Sequence, residues 1–102
     1  MKYYHVTPVK NMVAIQKDGL KPETFLAENI ELARAFAVLY GWSPYALFEV
    51  NISSNAVVIS DDHNEEYFKA LLKTDSAKCY MTFNDIAKEN LTLLGVWEFD
   101  RP

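Results

Sequence analysis

Apolar positions along this chain recur at two different periods, and the switches between them mark its elements. Tyr3-Tyr4-His5-Val6-Thr7 is rich in residues that favour extended backbone, and Pro8 stops the run, so a first strand is expected there. From Val9 to Asp18 the spacing becomes helical: Val9, Met12, Val13 and Gln16 share one face, with Ile15 beside it. Thr7 is placed to cap this helix, with Pro8 at its first position. Gly19 suits the residue that ends it, and Leu20 then packs back. Thr24-Phe25-Leu26-Ala27 reads as a short strand. Asn29 caps a second helix with Glu31 in its first turn, an apolar face of Leu32, Ala33, Phe36, Leu39 and Tyr40, and Gly41 as its stop.

Tyr45 to Ile52 is the clearest strand, with Ala46, Phe48, Val50 and Ile52 on one face and Tyr45, Leu47, Glu49 and Asn51 on the other. Ser53-Ser54-Asn55 forms a turn into a strand at Ala56-Val57-Val58-Ile59. A polar, acidic stretch from Ser60 to Asn64 leads into a helix from about Glu65 to Lys73, whose inner face is Tyr67, Phe68, Leu71 and Leu72. Cys79, Met81 and Phe83 alternate with Lys78, Tyr80 and Thr82 in a further strand, and Asn84 to Asn90 is a connection holding Ile86. Leu91 to Phe99 closes the series. Leu91, Leu93, Gly95, Trp97 and Phe99 fall on one face, and Leu94 and Val96 on the other, so burial on both sides is expected. Five or six strands and three helices predict an α+β fold.

The length of 102 residues implies a single domain spanning 1–102, and half the residues are hydrophobic, enough for one core. The formal net charge is -4, and Arg34 and Arg101 are the only arginines, which argues against extended nucleic-acid binding. Cys79 stands alone, so no intrachain disulfide forms and a reducing compartment fits. Met1-Lys2-Tyr3-Tyr4-His5 lacks an apolar signal core and no window approaches a membrane span, so a cytoplasmic, soluble protein is expected.

Candidate chemistry is sparse. His5 is one of two histidines, delivered by a short strand directly before a helix; it reads either as a satisfied strand residue or as a site residue. His5, His63 and Cys79 lack ligand spacing, so no metal site is expected; Asp61-Asp62-His63 reads better as a helix-capping loop. Cys79, in a strand, reads as packing rather than as a nucleophile. Trp42, before Ser43-Pro44-Tyr45, either caps the core or offers an aromatic surface to a ligand or partner. Phe36, on an apolar helix face, has core packing as its simplest reading.

A strand ending in His-x-Thr (His5 to Thr7), a helix ending in Asp18-Gly19-Leu20, then Phe25-Leu26-Ala27-x-Asn29 and a helix carrying Ala33-x-x-Phe36-Ala37 together resemble the ADP-ribosyltransferase fold. The pattern is similar to the branch that holds poly(ADP-ribose) polymerases, DarT toxins and RNA 2'-phosphotransferases. Its specific part is the first forty residues; the rest matches in order of elements. The resemblance implies a small mixed sheet and NAD as a substrate. In that branch His5 would hold the nicotinamide ribose as the catalytic residue. Val6 would offer backbone groups to the carboxamide and Thr7 a hydroxyl. Phe25 and Phe36 would enclose the nicotinamide, with Tyr40 near the rim. The implied reaction is transfer of ADP-ribose to a macromolecule with release of nicotinamide.

The chain departs from this family at three places. Phe36 stands where the family has a stacking Tyr, which keeps the π-face and loses the hydroxyl. Ala33 stands where the polymerases have a Ser that bonds the carboxamide. The late strand that should open on a Glu falls at Ser76 to Tyr80, with no acid; Asp75, Glu49, Glu65 and Glu66 are the candidates to replace it. The alternative is therefore an inactive binding or inhibitor module on a degenerate transferase fold. The phosphotransferase reading, which needs several arginines, is disfavoured by two.

Overall fold

The computed structural model describes residues 1–60, 65–74 and 76–99. Six strands form one sheet: β1 (Lys2–Pro8), β2 (Phe25–Ala27), β3 (Tyr45–Asn51), β4 (Val57–Ser60), β5 (Cys79–Thr82) and β6 (Leu91–Trp97). Their order is β4-β5-β2-β1-β3-β6. The helices are α1 (Met12–Asp18), α2 (Ile30–Tyr40) and α3 (Glu65–Leu72). The fold is α+β, with no helix among the described residues long and apolar enough to cross a membrane.

Every ladder is antiparallel, where a mixed sheet was expected. The reason lies in one connection. Helix α2 carries the chain from β2 to β3, two strands that run the same way, as in a parallel crossover. But β1 lies between them and opposes both, so no parallel ladder forms. Strand β1 pairs with β3 over its whole length, from Lys2↔Asn51 to Pro8↔Tyr45.

Alternation along β1 divides the core. On one face Val6 joins Ala27, Leu32, Ala33, Ala37, Leu47, Phe68 and Cys79 beneath α2 and α3. On the other, Tyr3 joins Leu20, Leu26, Val50, Val57 and Ile86, with Ile15 of α1 packed against them. Both faces of the sheet are thus covered, which is why β3 is buried at nearly every position.

Helix α2 begins and ends as its sequence predicts. The Asn29 side chain accepts a hydrogen bond from Leu32 N at 2.8 Å, and Gly41 closes the helix in the left-handed region at φ 70°. Asn29→Ala is expected to cost about 1 kcal/mol of stability, measured by urea denaturation. No loss would show that water caps this end equally well.

Other faces differ from their expected ones. Residues Val9–Asn11 form a 3-10 turn, and α1 starts only at Met12. Thr7 caps nothing: it is buried in β1 and accepts from Asn11 Nδ2 at 3.0 Å. Val13 is exposed, and Ile15 is the anchor of α1. Leu39 and Tyr40 lie outward on α2, where Ala37 is buried instead. In α3 only Phe68 is buried, while Tyr67 and Leu71 face outward.

Strand β6 carries the largest difference. Phe48 pairs with Leu93, but the next residue back, Leu47, pairs with Gly95. Leu94 is the extra residue of a β-bulge, so Leu91 and Leu93 share the face of Phe48 while Gly95 and Trp97 share that of Leu47. Being an edge strand, β6 leaves Leu94 and Val96 partly exposed rather than buried on both sides. The Trp97 ring folds back over Gly95, filling the space that a Cβ would need. It also stacks on Tyr45 at 5.9 Å and carries the Arg34 guanidinium 4.6 Å above it.

Candidate functional site

Strands β1 and β2 share a single register pair, Tyr4↔Ala27. Beyond it, toward Val6 and Phe25, the ladder stops, and the strands are joined instead by a side chain. His5 Nδ1 donates to the Phe25 carbonyl oxygen at 3.1 Å. A carbonyl can only accept, so Nδ1 carries the proton and Nε2 of the neutral ring keeps a lone pair. Burial pushes the His5 pKa below its ordinary value, opposed by the bond to Phe25. The ring is therefore neutral at pH 7.

Next to this gap lies a cavity of about 540 Å³, a size typical of small-molecule sites. Its lining draws on β1 (Tyr4, His5, Val6), β2 (Phe25, Leu26, Ala27), α2 (Ala33, Phe36, Tyr40), and Trp42, Ser60 and Cys79. The α2 side is a row of rings. Phe36 packs on Phe68 at 5.0 Å and lies nearly parallel to Tyr40, at 6.3 Å and 17°. Tyr40 in turn stacks with Trp42 at 5.1 Å and 29°. Phe25 supplies an exposed face from the sheet side.

Five of the six residues expected at a site meet here: His5, Val6, Phe25, Phe36 and Tyr40. Thr7 does not line the cavity. It lies further along β1, buried, and its hydroxyl is used by Asn11.

The acids fall differently from expectation. Glu49 pairs with Lys2 at 3.6 Å, Glu66 with Lys69 at 3.2 Å, and Glu65 accepts from the Ala77 N–H at 3.4 Å. None of them lines the cavity. Asp75 lies outside the described residues. The acid that does line it is Glu23, which periodicity passes over because it belongs to no element. Glu23 stands at φ 63°, in a turn tied down by Thr82. Its own N–H donates to Thr82 O at 3.0 Å, and the Thr24 N–H donates to Thr82 Oγ1 at 3.1 Å. Lys21-Pro22-Glu23-Thr24 directly before a strand was the only sequence signal, a turn with a carboxylate at its tip.

Burial pushes the Cys79 thiol up to about 12, with the nearby Glu28 charge adding to the effect. Such a thiol stays protonated and is a poor nucleophile, in keeping with packing as its role. Asp61, Asp62 and His63 lie outside the described residues. Among the rest, no three His, Cys, Asp or Glu side chains gather as metal ligands.

Set against protein-family models, curated proteins and solved structures, the chain matches none of them.

Proposed function

We propose that this domain is an ADP-ribosyltransferase-like protein of the cytoplasm that binds NAD through its nicotinamide end. The observation that supports this reading most is the convergence of His5, Val6, Phe25, Phe36 and Tyr40, from three separate elements, on one cavity of about 540 Å³. Phe25 and the Phe36–Tyr40 row offer apolar faces to a flat ring. His5, held by its bond to Phe25, would orient the ribose through Nε2. Displacement of nicotinamide through an oxocarbenium-like state would then deliver ADP-ribose to a macromolecular acceptor.

A second reading, an inactive binding or inhibitor module, is favoured by one observation. Glu49, Glu65 and Glu66 do not reach the cavity, and the acid that does, Glu23, is exposed at its rim.

Thermal stability tests ligand binding in both readings. NAD or nicotinamide at ten times its Kd is expected to stabilise the fold by about 1.4 kcal/mol, a rise of roughly 5–10 °C in Tm. Phe36→Ala would abolish the rise but also remove packing against Phe68, at a cost of about 3–5 kcal/mol. Phe36→Tyr is the cleaner variant, expected to keep both fold and shift. No shift with either ligand at millimolar concentration would dismiss the nucleotide site.

A further inference from the structure

We propose that two copies of this chain join edge to edge through β4, making one continuous antiparallel sheet across a two-fold axis at Val58. The pairing is independent of what the cavity binds.

Strand β4 ends the sheet, and among the described residues no strand lies beyond it. Its register with β5 runs from Val57↔Thr82 to Ser60↔Cys79. One step earlier, Phe83 N donates to Ala56 O at 3.4 Å. Bonded and non-bonded pairs alternate along an antiparallel ladder. Ala56, Val58 and Ser60 therefore turn their backbone groups toward β5, while Val57 and Ile59 turn theirs outward. Thr82, opposite Val57, bonds the other way: it donates to Thr24 O at 3.0 Å and accepts from Glu23 N at 3.0 Å. The outward N–H and C=O groups of Val57 and Ile59 match the spacing of another extended strand.

Geometry and charge select a second copy of the chain as that strand. Opposed residues of an antiparallel pair share a sheet face, so a two-fold pairing must centre on a residue. Centred on Val58, it sets Val57 against Ile59 of the second copy, and Ile59 against Val57. These are the residues whose backbone groups point outward, so the register satisfies them reciprocally. On one face Val58 meets Val58, which extends the registered row of Phe25, Met81 and Val58 into the second copy. On the other face the opposed pairs are Ile59 and Val57. Val58 and Ile59 are both exposed in the single chain, and apolar cross-strand pairs stabilise a sheet.

Each copy has a formal net charge of -4, so an arbitrary contact between copies is repulsive. Residues 50–60 contain no Asp, Glu, Lys, Arg or His, so no like charges meet along this edge. The opposite edge is guarded: β6 carries the bulge at Leu94, which breaks the regular run of its backbone. Strand β4 has no register shift, proline or lysine, and only its shortness limits pairing. An interface built on so short a strand falls below about 1,200 Å², the class of weak, reversible complexes. Half-dimerisation is therefore expected at roughly 0.1 mM. Both β4 edges are used up in the pair, so assembly stops at two.

The test is sedimentation velocity of the full chain between about 10 μM and about 1 mM. The expected result is a monomer–dimer equilibrium, with the Val57 and Ile59 amides gaining hydrogen-exchange protection as concentration rises. Val58→Lys places two positive charges across the axis and is expected to weaken dimerisation at least tenfold. Ile59→Pro removes an outward N–H that the chain's own ladder does not use, and is expected to do the same. Leu94→Lys, on the β6 edge, is expected to leave dimerisation unchanged. Circular dichroism identifies any variant that fails to fold, and in that case the exchange pattern of the wild type decides. A chain that stays monomeric at about 1 mM would overturn the proposal. So would growth beyond the dimer, a dimer that a folded Val58→Lys variant leaves intact, a dimer weakened by Leu94→Lys, or protection that does not include Val57 and Ile59.

Discussion

Gly19→Ala is expected to destabilise the protein by about 3–5 kcal/mol, far more than one methyl group ordinarily does. Gly19 sits at φ 80° and ψ -163°, outside the left-handed helical well and in a region almost reserved for glycine, where an L-residue costs about 1–3 kcal/mol. Its added Cβ would also run into the Ile86 carbonyl oxygen. That carbonyl is not free to move. It accepts from Leu20 N at 2.9 Å while Ile86 N donates to Leu20 O at 2.8 Å, and both side chains are buried in the core under α1. Relieving the clash therefore breaks two hydrogen bonds or shifts a packed pair. Gly41→Ala is the contrasting variant: Gly41 lies in the left-handed helical well, at φ 70° and ψ 30°, and nothing lies within 4 Å of the new Cβ. It is expected to cost only about 1–2 kcal/mol. Urea denaturation of the two variants tests the contrast, and near-equal losses would show that the Ile86 segment yields.

His5→Ala is expected to lower nicotinamide release from NAD on the order of a hundredfold, if the domain is a transferase as proposed. The accompanying stability loss should stay near 1 kcal/mol, since the ring is half-buried and makes one hydrogen bond, to Phe25 O. Release is measured with and without a cell extract to supply acceptors. Unchanged release in the variant would remove His5 from the mechanism; no release from the wild type would leave the binding module as the reading. His5 also leaves a signature in pH. Its folded pKa lies below the unfolded value of about 6.5. Near that pH the unfolded chain binds more protons than the folded one. The stability contributed by keeping His5 neutral is therefore complete above about 6.5 and is lost as pH falls through the lowered folded value. His5→Gln should flatten that part of the Tm profile, and an unaltered slope would assign it to other groups.

Element by element, the chain's own pattern goes a long way. Asn29 and Gly41 mark α2 to within a residue because capping is local chemistry. The Tyr3-Tyr4 propensity and the apolar repeat of Tyr45 to Ile52 foretell two strands, and these are direct neighbours. What escaped was settled at a distance. The β6 bulge depends on how Leu47 and Phe48 sit opposite it, so the period-2 reading put Leu91 and Gly95 on one face when they lie on two. Leu39 and Ala37 trade roles on α2 because the sheet beneath needs a small residue there. At the site, His5, Phe25 and Phe36 were legible through a short motif. Glu23 was not, because its position depends on Thr82, almost sixty residues along, gripping the turn.

The strand order has a bearing on how this molecule reaches its native state. Strand β1 comes earliest in the chain yet lies inside the sheet, and its seven-residue partner begins only at Tyr45. Until that segment is available, the one ladder open to β1 is a single pair with β2. Strand β2, in turn, waits for β5, and β3 waits for β6. Each closure spans a loop far longer than a hairpin, so entropy is spent before pairing returns it. Assembly should be set by a late, concerted capture of distant strands rather than by stepwise growth, giving the slow refolding of high contact-order topologies. During that wait the apolar residues of β1 and β3 are uncovered, and crowding of partly formed chains becomes the main hazard on the way to the cavity.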